Sequence, residues 1–210
     1  MKTILCFGDS NTWGYSPQTG TRFPPDIRWT GVLQKSLGDN YRVIEEGLNG
    51  RTTFINEEGE EARPLRSGSD VLQIILESHR PLDFVTIMLG TNDLKLEFNL
   101  SVEEIALGAK ELCETVLNSE YLADNIPQIL LISPTHIGST IMPDQEEFFN
   151  RAREKSYQFA EHYQEVANDL NIHFLDASKI VTPSDGEGVH WDGEQHVKFG
   201  KYLAKTIKMY

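Results

Sequence analysis

Cysteine is almost missing from this chain of 210 residues, occurring only as Cys6 and Cys113. Two isolated cysteines exclude a disulfide framework, and no CxxC pair offers a zinc site. Cys6 sits in an apolar run and Cys113 in a helical pattern, so both read as small core residues. Long hydrophobic runs are missing too. No segment approaches the roughly 18 apolar residues of a membrane span. The run TILCF after Lys2 is too short for a signal-peptide core and passes straight into GDS without a cleavage signal, so a cytoplasmic protein without membrane attachment is expected. Positive charge is scarce: 19 Lys and Arg stand against 32 Asp and Glu, a formal net charge of −13. The average field of such a chain repels nucleic acid and anionic membrane surfaces, so neither is expected as a partner. Repeats and low-complexity linkers do not occur. The phosphate-binding loops fail as well: Gly8 and Gly14 enclose five residues but no Lys-Ser or Lys-Thr follows, and no GxGxxG follows the first apolar run.

What remains is ordinary for a globular protein, 39% apolar and 24% charged. Residues 1–210 suffice for a single domain with a full hydrophobic core. Short apolar runs at 3–7, 41–44, 84–89, 129–132 and 173–175 read as strands. Between them lie segments with helical spacing: 27–37, 71–76 (begun near 67–70), 101–117, 148–170 and 195–209. The third helical segment opens with a capping box, Ser101 and Glu104. Runs such as DFVTIML are apolar on both faces, as strands covered by helices on both sides must be. The pattern predicts a three-layer α/β/α domain with about five parallel strands. In such sheets ligands bind beyond the carboxyl ends of the strands. The residues there are GDSN, EEGLNGRTT, GTNDLK, SPTH and SDGEGVHWD, all rich in Gly, Ser, Asn, Asp and His.

Four small polar residues in a row, Asp9 to Thr12, follow the first strand in FGDSNTWG. Helix capping accounts for one of them. Ser10, displayed on a strand-to-helix turn, is also placed as a nucleophile. His190 lies in a loop with acids on both sides, Asp185, Glu187 and Asp192. A carboxylate on one imidazole nitrogen fixes the tautomer and leaves the other nitrogen to take a serine proton. Asn92, a turn residue after the third strand, carries a neutral donor suited to an oxyanion hole. A metal alternative, the H-x-D-x-x-x-H of His190, Asp192 and His196, lacks the i, i+4 histidine pair of a helical zinc site; no metal is expected.

These blocks together resemble the SGNH (GDSL-type) hydrolase family. FGDSNTWG matches the nucleophile block, EEGLNGRTT the glycine block, IMLGTNDLK the block with the oxyanion asparagine, and EGVHWD the acid-x-x-His block. Their order and spacing agree across the whole chain. RWTGVLQKSLG, VIEEGLNGRTT and LDFVTIMLGTNDLK are similar to the intracellular arylesterase and acyltransferase branch, which cleaves small esters and can pass the acyl group to alcohols. The resemblance implies a flavodoxin-like sheet, no cofactor, a small-molecule ester substrate and a homo-oligomer. It makes Ser10 the nucleophile and His190 the base. It places the oxyanion donors at the Ser10 and Gly50 backbone N–H groups and the Asn92 side chain, with Gly47 ranked behind Gly50. Asp9 and Asp93 become supporting residues and Trp13 a pocket wall. The family usually has Asp three residues before the histidine. Here that position is Glu187, with Asp185 as the fallback acid. A carbohydrate O-deacetylase and a non-catalytic ligand-binding domain are the alternatives on the same fold. Residues 135–149 look like an insertion over the crevice mouth.

Overall fold

The computed structural model describes residues 1–60 and 62–210. Five strands form one parallel sheet in the order β2-β1-β3-β4-β5: β1 Lys2–Gly8, β2 Tyr41–Gly47, β3 Phe84–Met88, β4 Gln128–Ser133 and β5 His173–Asp176. The helices are α1 Ser10–Trp13, α2 Trp29–Leu37, α3 Leu72–His79, α4 Val102–Leu117, α5 Pro143–Phe149, α6 Ala152–Ser156, α7 Phe159–Leu170 and α8 Gly193–Ile207.

Strand periodicity divides the core into two layers. Leu5, Phe7, Val85, Ile87, Ile129 and Leu131 face α3, α4 and α7. Ile4, Cys6, Phe84, Met88, Leu130 and Ile132 face α2 and α8, where Trp29, Leu33, Phe199 and Leu203 fill the space. Successive strand residues point to opposite faces, so strands apolar at every position require this double cover. Both cysteines are buried and free, as small core residues.

Chain order makes a crevice. From β1 the chain moves outward to β2, then returns to place β3 on the other side of β1. The loops leaving β1 and β3 therefore part at their carboxyl ends, the position where open α/β sheets bind ligands. Ser10 follows β1 and Asn92 follows β3.

One expected element breaks up. The segment 148–170 is not a single helix but the ends of α5, then α6 and α7. Arg151 takes a left-handed φ of 68°. The Ser156 hydroxyl donates to the Arg153 carbonyl at 2.6 Å and accepts from the Ile137 N–H at 2.9 Å, offering the backbone an alternative to helical bonding. Phe149, Ala152, Phe159 and Tyr163 all stay buried, so the apolar face survives the breaks and the periodicity could not report them. Residues 67–70 likewise precede α3 as a bridge and turn, because Ser67 pairs with Thr52.

Candidate active site

β1 ends at Gly8, where a side-chain carbon would collide with Thr12 Oγ1 and the Met88 carbonyl. Having no side chain lets Gly8 take that close approach as the chain turns into α1. Asp9 caps the turn, its Oδ1 accepting from the Asn11 N–H at 2.9 Å. Ser10 is thus held as the first residue of a four-residue helix, at the floor of a cavity of about 500 Å³. Gly14, left-handed at φ 88°, ends α1 and swings the chain back. As a result Tyr15, not Trp13, lines the cavity, its ring 4.4 Å from that of His190. Trp13 instead lies outside, under the Arg22 guanidinium.

The His190 loop reaches the same floor from the far end of the chain. Ser10 Oγ and His190 Nε2 are 2.9 Å apart, and His190 Nδ1 and Glu187 Oε1 are 2.6 Å apart. A carboxylate can only accept, so Nδ1 carries the proton and Nε2 presents a lone pair to the Ser10 hydroxyl. The longer acid fits because its loop curls beneath it. Gly186 and Gly188 adopt φ of 79° and 84°, and the Ser184 N–H donates to the His190 carbonyl at 2.7 Å. Glu187 Oε2 then accepts from the Val189 N–H at 2.9 Å and from the His190 N–H. Burial pushes the Glu187 carboxyl upward, but the hydrogen bonds from His190 and Val189 outweigh it and hold the group below its usual range. Asp185 is exposed. Asp192 is occupied as the N-cap of α8, accepting from the Gln195 N–H at 2.9 Å.

Asn11 closes this half of the site. Its Nδ2 donates to the Val189 carbonyl at 3.4 Å and its Oδ1 accepts from the Trp191 N–H at 3.0 Å. One amide therefore grips the chain on both sides of His190. In the sequence it reads only as a turn residue. Its possession of both a donor and an acceptor was the available signal.

The other half is built by the loops after β2 and β3. Asn92 Nδ2 donates to the Arg51 carbonyl at 3.0 Å, which uses one of its two hydrogens. Asp93 accepts from the Thr53 N–H at 2.9 Å and from its hydroxyl. Arg51, buried, donates from Nη1 to the Gly8 carbonyl at 3.0 Å, tying the glycine block to the nucleophile turn. Gly50 lines the cavity at φ 78°. Among the described residues neither the Ser10 nor the Gly50 backbone N–H donates to a backbone acceptor. Gly47 does other work: a side chain there would collide with the Trp13 backbone, so this glycine permits close packing of β2 on α1. Burial raises the carboxyls of both Asp9 and Asp93 to about 6.

His190, Asp192 and His196 do not converge. His196 is buried in the α2/α8 layer, where its Nδ1 accepts from the Trp29 N–H at 3.3 Å and burial lowers its pKa to about 3. Among the described residues no group of three or more His, Cys, Asp or Glu side chains is arranged to hold a metal ion.

The rest of the cavity is lined by the apolar side chains of Phe148, Phe149 and Val189 and by the polar ones of Glu57, Arg63, Lys95, Glu97 and Gln145, an apolar wall and a polar one. Of segment 135–149, Gln145, Phe148 and Phe149 line this crevice. The segment packs on the acid loop, the Gly138 N–H donating to the Gly188 carbonyl at 2.7 Å.

The sequence pattern of the GDSL-like lipase/acylhydrolase family matches residues 6–198. A carbohydrate acetylesterase from Sinorhizobium meliloti is 34% identical and superimposes with a TM-score of 0.93, covering 100% of this chain and 99% of that one. The inhibitor-bound aryl esterase of M. smegmatis is 36% identical, also with a TM-score of 0.93 and the same coverage of 100% and 99%. A member of the lipolytic G-D-S-L family from Veillonella parvula, 17% identical, shares the fold at a TM-score of 0.69 over 100% of this chain and 99% of that one. No curated protein matches the chain significantly in sequence.

Proposed function

The chain belongs to the GDSL-like lipase/acylhydrolase family, and from that premise we propose that it is a serine esterase of small carboxylic esters, aryl or acetyl, acting through an acyl-enzyme on Ser10. The observation that carries this reading is the unbroken line Ser10 Oγ, His190 Nε2, His190 Nδ1, Glu187 Oε1, with links of 2.9 and 2.6 Å, at the floor of the cavity.

The steps follow from the geometry. Ser10 Oγ attacks the ester carbonyl while His190 Nε2 takes its proton. Glu187 keeps the imidazole in the right tautomer and stabilises the imidazolium that forms. Negative charge gathers on the carbonyl oxygen, where the Ser10 and Gly50 N–H groups and the second hydrogen of Asn92 Nδ2 receive it. His190 returns the proton to the departing alkoxide. Water, or another alcohol, then repeats the sequence in reverse and frees Ser10. In this reading Asp9 and Asp93 are supporting residues that hold the two turns. An aryl acetate fits the pairing of catalytic floor and apolar wall. The polar wall of Glu57, Arg63, Lys95 and Glu97 favours, as a second reading, a sugar acetate whose hydroxyls would meet those groups.

We read residues 1–210 as a single domain around one sheet, and the protein as a cytoplasmic homo-oligomer. Support for self-association comes from Met142, Phe148 and Tyr157, which stand exposed along one segment. No described helix is long and apolar enough to cross a membrane. Light scattering tests the oligomer. The function is tested by a panel of aryl and sugar esters of increasing acyl length, assayed with the native protein and with Ser10→Ala. Turnover of short-chain esters that vanishes in a folded Ser10→Ala protein is expected; full turnover in that variant contradicts the proposal.

A further inference from the structure

Gly50 presents a difficulty for any chemistry that uses its N–H. Its neighbours are anchored: Thr52 and Thr53 are bonded through backbone and side chain, and Thr53 is tied to Asp93. Gly50 makes no backbone hydrogen bond of its own among the described residues; it is held only as the third residue of the turn that the Arg51 N–H closes onto the Leu48 carbonyl at 3.0 Å, and glycine at φ 78° is the residue most free to leave its conformation. What covers it is Arg63. A side-chain carbon on Gly50 would collide with the Arg63 guanidinium, so that planar group lies directly against the glycine backbone.

Arg63 is itself gripped by Glu57. Glu57 Oε2 accepts from Arg63 Nε and from the Arg63 backbone N–H, both at 3.0 Å, and Oε1 accepts from Nη2. Glu57 Oε1 also accepts from Lys95 Nζ at 2.7 Å. Lys95 stands three residues after Asn92, and its backbone N–H closes the turn onto the Asn92 carbonyl at 3.2 Å. The Glu57 and Lys95 side chains are only 10% and 8% exposed. Such a pair is coupled far more strongly than a surface ion pair.

We propose that Glu57, Arg63 and Lys95 are positioning residues for the oxyanion hole, an ion cluster that clamps the Gly50 loop to the Asn92 loop from the solvent side. Inside, the two loops are joined by Asn92 to Arg51 and by Asp93 to Thr53. Those bonds fix residues 51–53 and leave Gly50 to the single turn bond from the Arg51 N–H to the Leu48 carbonyl. The outer clamp removes that freedom: Lys95 holds Glu57, Glu57 holds Arg63, and Arg63 lies on Gly50. The inference rests on the esterase reading and adds three residues to it.

The test is steady-state kinetics on p-nitrophenyl acetate with Glu57→Gln, Lys95→Met and Lys95→Arg, each checked for folding by circular dichroism. Loosening one oxyanion donor should lower kcat by on the order of 10-fold or more, since small misplacements of catalytic groups cost up to about 100-fold, with KM changed little. Lys95→Arg, which keeps the charge, should recover most of the loss. Combined with Asn92→Ala, the Glu57→Gln loss should be less than multiplicative, because both act on one hole; combined with Asp185→Asn it should be unchanged. Should Glu57→Gln not fold, Lys95→Met against Lys95→Arg carries the test. Variants with kcat within twofold of the native value, or an effect confined to KM, overturn the proposal. Either failure is distinct from failure of the esterase reading, which is judged by Ser10→Ala alone.

Discussion

The two sides of the cavity are held in different ways. The floor, from Ser10 to His190, is fixed by neutral and charge-assisted hydrogen bonds across 180 residues of chain, and its side chains are buried. The wall, from Glu57 to Phe149, is fixed by ion pairs, short helices and a segment that carries an exposed Phe148 beside the buried Phe149. The difference follows from what each side must do. Proton transfer needs donor and acceptor within hydrogen-bond reach throughout the reaction, so the floor is over-determined: Asn11 grips both flanks of His190, and Glu187 bonds both the ring and the backbone of its own loop. Recognition of an alcohol group tolerates more movement. The apolar part of the wall, Phe148 and Phe149 on their short helix, can change without disturbing the chemistry; the ion cluster of Glu57, Arg63 and Lys95 cannot, because it backs Gly50.

If that division is right, damage to the floor should exceed damage to the wall. The largest effect within the histidine loop is expected from Glu187→Gln. Loss of the carboxylate removes the tautomer control, and comparable triad acids are worth on the order of 10⁴-fold in kcat. Asp185→Asn, at an exposed position two residues away, should leave kcat nearly unchanged. The reverse ranking, measured on p-nitrophenyl acetate, would move the acid. Asn92→Ala comes next, with a loss of about 10²–10³ in kcat and little change in KM. An effect mainly on KM would make Asn92 part of the wall instead. Asn11→Ala should cost stability as well as rate, since it leaves the Trp191 N–H and the Val189 carbonyl without their partner. About 1–3 kcal/mol is expected for a buried group so orphaned, readable as a lowered midpoint in urea. An activity loss without any loss of stability would show that Asn11 is not the brace described.

The last effect touches stability alone, through pH, and lies outside both regions. His196 is buried with its pKa lowered to about 3, so the unfolded chain binds this proton more readily than the folded one between about 6.5 and 3. Its contribution to stability is complete above that window and is lost as pH falls through it. Asp9 and Asp93, raised by burial to about 6, act in the opposite sense: they favour the folded state at low pH and lose that contribution as pH rises from 3.8 to about 6. Relative to the native protein, His196→Gln should therefore gain stability as pH is lowered from 6.5 towards 4, by at most about 1.4 kcal/mol per pH unit. Parallel stability curves for the two proteins would contradict this.

The same division explains what could be read in advance. The strands were legible to within three residues at either end because double-sided burial writes continuous apolar runs into the sequence. Family blocks and strand ends led to Ser10, His190, Glu187, Asn92 and Gly50, all of which line the cavity or meet within it. The wall was less legible. Trp13 and Tyr15 are two positions apart, and which one faces the cavity depends on the left-handed turn at Gly14. The clamp on Gly50 joins residues 57, 63 and 95, charged side chains in loops, where no helix or strand period applies. The breaks in 148–170 were hidden because the buried face continues across them.

The central claim is that Ser10 forms the covalent intermediate. Incubating the protein with a serine-directed fluorophosphonate and mapping the adduct by mass spectrometry tests it most directly. One adduct, on the peptide containing Ser10, forming fast in the native protein and far more slowly in His190→Ala, is the predicted result. Labelling of another residue at the native rate, or a Ser10→Ala protein that still hydrolyses esters at the native rate, would contradict it.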